Sequence, residues 1–269
     1  MFTVRELAKQ NGKASHADIE WLNQLTADWQ LIADMIFADL VLWVPSKDGG
    51  FIAMAHARPS SAATLFYRDI SGQPAQAGWL ATMNEAFETG EPVEVKNTES
   101  VDGQLARFAA IPVRRRVSAR NEEVAKHPIA IITRHTNLAD AKAPNKLQLN
   151  YLSAGNDLLR MVTQGAFPEL AAKTGSRRGA PRANDGLLRL NEEGVVQFAS
   201  PNALSAFNRL GITGELEGKS LLDSAAQLIR GGNHVDEALP IVLQGTAPWR
   251  ADLESRDSTL SIRAIPLKI

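Results

Sequence analysis

No cysteine occurs in the 269 residues. That excludes disulfides, thiolate catalysis and cysteine-ligated zinc or iron–sulfur centres, and it fits a reducing cytosol. Long apolar runs are also missing. The longest apolar region, Leu31 to Val44, is broken by Asp34 and Asp39, so it falls short of the ~20 apolar residues of a membrane span. The N-terminal MFTVRELAKQNGK has no apolar core of a signal peptide. The formal net charge is −1, which gives no global pull toward nucleic acid or anionic lipid. Catalytic signatures are equally scarce. There is no G-x-x-x-x-G-K-[ST] phosphate loop, no G-x-G-x-x-G after a strand and no G-x-S-x-G elbow. Internal repeats and long low-complexity tracts are absent.

The titratable residues suggest no chemistry of their own. His16, His56, His127, His135 and His234 include no H-E-x-x-H or H-x-H pair, so no metal is assigned. His56 on a strand and His135 near a strand end read as hydrogen-bonded structural histidines. Glu192-Glu193 in a turn and Glu122-Glu123 in a polar loop read as solvated; an acid–base pair would need burial to separate its pKa values. Arg114-Arg115-Arg116 is the one run of three basic residues. A solvated face is expected there, with phosphate contact as the sharper alternative. Without interleaved aromatics it gives little reason to expect direct nucleic-acid binding.

What is present is periodicity. From His16 to about Phe37, Leu22, Leu25, Trp29, Ile32 and Ile36 follow steps of three and four, one apolar stripe of a helix. Leu40 to Val44 and Phe51 to Ala57 read as strands joined by a Gly-Gly turn, with another strand at Ala63 to Tyr67. A helix is expected over Trp79 to Phe87, ended by Gly90 and Pro92. Strands follow at Ala106 to Val113 and Ile129 to Arg134. A last helix runs from Lys146 to Thr163, with Leu147, Tyr151, Ala154, Leu158 and Met161 on one face. Long helices at both ends of a mixed sheet describe a GAF-like domain over residues 1–165.

Residues 166–185, rich in Gly, Pro, Ser and Arg, read as an exposed linker in which Arg177, Arg178 and Arg182 are solvated. Residues 186–269 begin with strands Leu187 to Leu190 and Val195 to Ala199 around the turn Asn191 to Gly194. Ser200 then caps a helix whose first position is Pro201. A loop-rich stretch through Gly232, a helix over Val235 to Leu243 and two alternating strands, Trp249 to Leu253 and Leu260 to Ile265, complete the pattern. Hairpin, capped helix and loop in this order open a PAS domain. Only four of its usual five strands can be counted. The fold class is therefore α/β (α+β): two tandem sensor domains, GAF-like then PAS-like, each an antiparallel sheet flanked by helices.

Candidate ligand-pocket residues are Trp43, Met54, Phe66, Trp79 and Phe108 in the first domain, and Phe198, Asn202, Phe207, Leu222 and Trp249 in the second. Core packing is the competing role for each. Leu22, Leu25, Trp29, Ile32, Leu147, Tyr151 and Leu158 could instead form a dimer seam, two helices per chain in a four-helix bundle.

Three blocks carry a family resemblance: EWLNQLTADWQLIADMIFADLVLWV (Glu20 to Val44), NDLLRMVTQGAFP (Asn156 to Pro168), and ASPNALSAFNRLG with GELEGKSLLD in the second domain. The chain resembles the sensor region of the cytosolic actinobacterial sensor histidine kinases of the PdtaS type. The resemblance implies a following kinase core that uses ATP, phosphorylates its own histidine and passes the phosphate to a response regulator with an RNA-binding ANTAR output. None of the five histidines matches the acceptor motif, so no catalytic residue transfers and this chain alone is not expected to be an enzyme. A homodimer, a cytoplasmic location, no membrane partner and a small-molecule ligand of unstated chemistry are the further expectations; no cofactor is evident. The alternative is a stand-alone, non-enzymatic regulator binding a protein or nucleic acid.

Overall fold

The computed structural model describes residues 12–95, 98–101, 103–117, 123–139, 143–168, 182–230, 239–245, 250–255 and 258–268. Among the positions singled out above, Trp249, His234, Arg177, Arg178 and Glu122 lie outside these residues, as do the first positions of the helix expected from Val235. The chain divides into two compact units between Pro168 and Glu169.

In the first unit, helix α1 (His16–Ile36) starts at a capping box: Ser15 Oγ accepts from the Asp18 N–H, and Asp18 accepts from the Ser15 N–H. It ends at Phe37, which adopts a left-handed conformation with φ 53°. Strands β1 (Asp39–Pro45) and β2 (Phe51–Ala57) follow, then helix α2 (Ala77–Thr89), strands β3 (Val93–Glu94), β4 (Glu99–Val101), β5 (Gln104–Val113) and β6 (Ala130–Asn137), and helix α3 (Lys146–Thr163). The strands form one antiparallel sheet of order β2-β1-β6-β5-β3, with β4 also pairing to β5.

Strand alternation divides the core. Val41 and Trp43 of β1 join Phe51, Ala53, Phe108, Ala110 and Ile131 in a cluster with Trp79, Met83 and Ala86 of α2. Leu40, Leu42 and Val44, also buried, point to the other face. There α1 and α3 pack on each other. Gly155 of α3 lies so close to α1 that an added Cβ would stand 2.5 Å from Ile36 Cγ2.

Two expectations for this unit change. No strand forms at Ala63 to Tyr67, because Thr64 and Leu65 bond to a side chain instead of a neighbouring strand. Arg114 and Arg115 are not simply solvated. Arg114 donates to the Thr163 carbonyl at 3.1 Å, and Arg115 pairs with Asp18, tying the strand end to both helices. The apolar stripes of the two long helices are used within the unit: Leu22, Leu25, Trp29, Ile32, Tyr151 and Leu158 are buried, which leaves Leu147 at 36% and Leu149 at 53% exposure.

The second unit begins with a short 3₁₀ turn (Ala183–Asp185). A two-stranded ladder of β7 (Leu188–Leu190) and β8 (Val196–Ala199) follows. Helix α4 (Pro201–Arg209) is capped by Ser200, whose Oγ accepts from Ala203 N–H and from Leu187 N–H. Helices α5 (Leu221–Arg230) and α6 (Leu239–Gln244) come next, then a ladder of β9 (Arg250–Ser255) and β10 (Ser258–Arg263). The stretch read as loop-rich thus contains α5. Its apolar residues, such as Leu221 and Ala225, are buried, and Ser220 Oγ caps it by accepting from Asp223 N–H. A core of Val196, Phe207, Leu210, Ile212, Leu221, Ala225, Val242 and Ala251 joins these elements.

Candidate functional site

The first unit gathers six rings at one end of its sheet. Trp43 comes from β1, His56 from β2, Trp79 from α2, Phe108 from β5, His135 from β6, and Phe66 from the segment between β2 and α2. Register explains the meeting. Val41 of β1 pairs with His56 on one side and Thr133 on the other, and Asp39 pairs with His135. His56, Asp39, Thr133 and His135 are therefore neighbours although their sequence separations are long. The His135 ring lies 4.8 Å from Trp79, 5.0 Å from Phe66 and 5.1 Å from Phe108. Trp79 stacks on Phe108 at 5.8 Å and meets Trp43 edge-on at 6.0 Å. Such offset and edge-to-face pairs add a little beyond area burial.

Polar groups thread this apolar wall. Asp39, wholly buried, accepts from Thr64 Oγ1–H at 2.6 Å and from Leu65 N–H at 2.8 Å, and its Oδ1 lies 3.1 Å from His56 Nε2. Thr133 Oγ1 accepts from Trp43 Nε1–H at 2.7 Å and lies 2.9 Å from His135 Nε2. The loss of hydration pushes the His135 pKa down to about 3, against the opposing pull of the Asp39 charge. His135 is therefore neutral in the folded protein at ordinary pH.

A second carboxylate fixes the same segment to a helix. Asp34, near the end of α1, accepts from Ser60 N–H at 2.7 Å and from Ser60 Oγ–H at 2.9 Å, while its carbonyl accepts from Ser61 Oγ–H at 2.6 Å. Gln30 donates to the Arg58 carbonyl at 2.7 Å. Residues 58–66 thus run from α1 to the aromatic site, anchored by Asp34 at one end and Asp39 at the other.

Of the positions chosen from sequence, Trp43, Phe66, Trp79 and Phe108 come together, whereas Met54 is buried outside this cluster. Sequence reasoning missed Asp39, Thr64 and Thr133, and treated His56 and His135 separately. The available signal was an aspartate inside the chain's longest apolar region. In the second unit Phe207 lies in the core, Leu222 packs partly buried against it, and Phe198 is buried outside that cluster. Asn202 is exposed and donates to the Asn184 carbonyl at 2.6 Å. No group of three or more metal-ligating side chains occurs among the described residues.

An antiparallel sheet with paired terminal helices on one face and a single helix on the other, over a buried polar–aromatic site, defines a sensor domain of the GAF type. The chain belongs to the family described as the GAF domain of the histidine kinase PdtaS, whose model matches residues 4–154. It is 32% identical over its whole length to the sensor histidine kinase PdtaS of Mycobacterium tuberculosis (strain ATCC 25618 / H37Rv), and 31% identical over 99% of its length to that of Mycolicibacterium smegmatis (strain ATCC 700084 / mc(2)155). It spans about half, 53%, of each of these curated relatives. A solved structure described as the sensor region of a sensor histidine kinase superposes with a TM-score of 0.78 and 29% identity, covering 100% of this chain and 93% of that one.

Proposed function

We propose that this chain is the signal-receiving region of a two-component sensor histidine kinase. Its first unit would read the signal, and its second unit would act as a PAS-type relay. The whole protein would work as a cytoplasmic homodimer, autophosphorylate from ATP and pass the phosphate to a response regulator of the ANTAR type. The observation that carries the reading is end-to-end similarity to the sensor half of such kinases. Supporting it is the tie from the aromatic site to α1 through residues 58–66. The arrangement of two ladders separated by helices supports the PAS reading of the second unit. Among the described residues no helix is long and apolar enough to cross a membrane.

Sensing of this kind is a population shift: an occupant that prefers one arrangement of the terminal helices biases the kinase. The test is to read the gene beyond Ile269 and assay its full-length product with labelled ATP. Label on a histidine is expected, and Asp39→Asn should change the rate about 5-fold or more. A reading frame without a kinase core, or a rate indifferent to Asp39→Asn in folded protein, would reject the proposal.

A further inference from the structure

Two buried atoms of the aromatic site lack hydrogen-bond partners among the described residues, Nδ1 of His56 and Nδ1 of His135. The networks behind them make the two opposite in kind. Thr133 Oγ1 receives Trp43 Nε1–H, and among the described residues the one acceptor within reach of its own O–H is His135 Nε2 in the tautomer that leaves this nitrogen unprotonated. A neutral His135 that accepts on Nε2 carries its proton on Nδ1 and presents a donor. In His56 the Nε2 proton goes to the Asp39 carboxylate. With that one proton on the ring, Nδ1 presents a lone pair, an acceptor. His135 is wholly buried and the His56 side chain is 1% exposed. Each unmade bond there costs free energy until something pairs with it.

Phe66 stands against both imidazoles. Its ring centroid is 5.0 Å from each, at interplanar angles of 83° and 88°. It is the one ring of the six that comes from neither helix nor strand.

We propose that the first unit binds a small, uncharged, flat molecule with an acceptor beside an N–H donor (a lactam or cyclic-amide edge). His135 Nδ1–H takes the acceptor, His56 Nδ1 takes the donor, and the ligand ring occupies the place of the Phe66 side chain. An anion would meet the Asp39 carboxylate without water to screen it, and a cation would have to displace His56 from that carboxylate. Trp79 and Phe108 supply the stacking walls. Displacing Phe66 pulls on the bonds from Leu65 to Asp39 and from Ser60 to Asp34, so occupancy reaches the end of α1. This inference rests on the sensor reading of the same site and adds the class of ligand.

The 269-residue chain, labelled with ¹⁵N in its histidines, allows the test. Long-range ¹H–¹⁵N correlation should show the proton of His135 on Nδ1 and that of His56 on Nε2. The probe is 2-pyridone, the simplest ring with this edge. It should shift both Nδ1 resonances, and N-methyl-2-pyridone, which lacks the donor, should bind about tenfold more weakly. Phe66→Ala opens a ring-sized space and should bind 2-pyridone about tenfold more tightly than the parent. Reversed tautomers, a doubly protonated His56, equal binding of the two pyridones, or no shift in either protein would overturn the proposal. The tautomer measurement needs no variant, so a misfolded Phe66→Ala does not remove the test. If 2-pyridone fails to bind while Asp39→Asn alters autophosphorylation, the ligand class is wrong and the sensor reading stands. If it binds but phosphorylation is indifferent to Asp39→Asn, the binding site holds and only its sensory role is lost.

Discussion

His135 shows how much one buried ring controls. Its folded pKa of about 3 lies below the ordinary value of 6.5. Unfolded chains therefore bind a proton here before folded ones do. The sign follows: stability from this group is full above pH 6.5 and is lost as the pH falls from there toward 3. The slope is about 1.4 kcal/mol per pH unit for one proton. His135→Phe keeps a ring against Trp79 and Phe108 but removes the titration. Urea midpoints measured between pH 6.5 and 4 should fall less steeply for the variant, and parallel curves would refute the assignment. The histidine types and their strand positions were readable in sequence. Their meeting was not, because it depends on β2 and β6 pairing with opposite edges of β1.

Among the elements, the contact of α1 with α3 is set by a glycine. A Cβ on Gly155 would come 2.5 Å from Ile36 Cγ2 and 3.0 Å from Met35 Cβ. Met35 Cβ is fixed by the backbone, and Ile36 Cγ2 can move only by a χ1 change that β-branching disfavours in a helix. Overpacking of this kind costs about 1–3 kcal/mol, against about 1 kcal/mol returned by the better helix propensity of alanine. Gly155→Ala is thus expected to lower stability by up to about 2 kcal/mol, seen as a reduced denaturant midpoint. An unchanged or higher midpoint would show that the helices part at little cost. Both helices were legible from their three-four spacing, and α3 begins and ends where the pattern places it, Lys146 to Thr163. The segment at Ala63 to Tyr67 was misread. Its composition suits a strand, but Asp39 offers Thr64 and Leu65 better bonds than any free sheet edge.

At the scale of the whole chain, the two units differ in how their strands are supported. β1, β6 and β5 each have hydrogen-bonded neighbours on both sides, whereas the described strands of the second unit form two separate two-stranded ladders. Two-stranded pairs are marginal without further cover, and opening free energies follow such local support. Hydrogen exchange read by mass spectrometry should therefore be slowest in Leu40 to Trp43, Phe108 to Ile111 and Ala130 to Ile132, and markedly faster in Leu188 to Leu190 and Leu260 to Ile262. Equal protection would mean that the ladders gain a partner in solution. The family, the element types and most apolar faces could be read from residue order, because spacings of two and of three-four are local and survive without any knowledge of neighbours. The hydrogen-bonded site of Asp39, Thr64, Thr133, His56 and His135 arose only on folding. Its members lie up to 96 positions apart, Asp39 to His135, and are joined by strand register, a property of the folded sheet that no local pattern encodes.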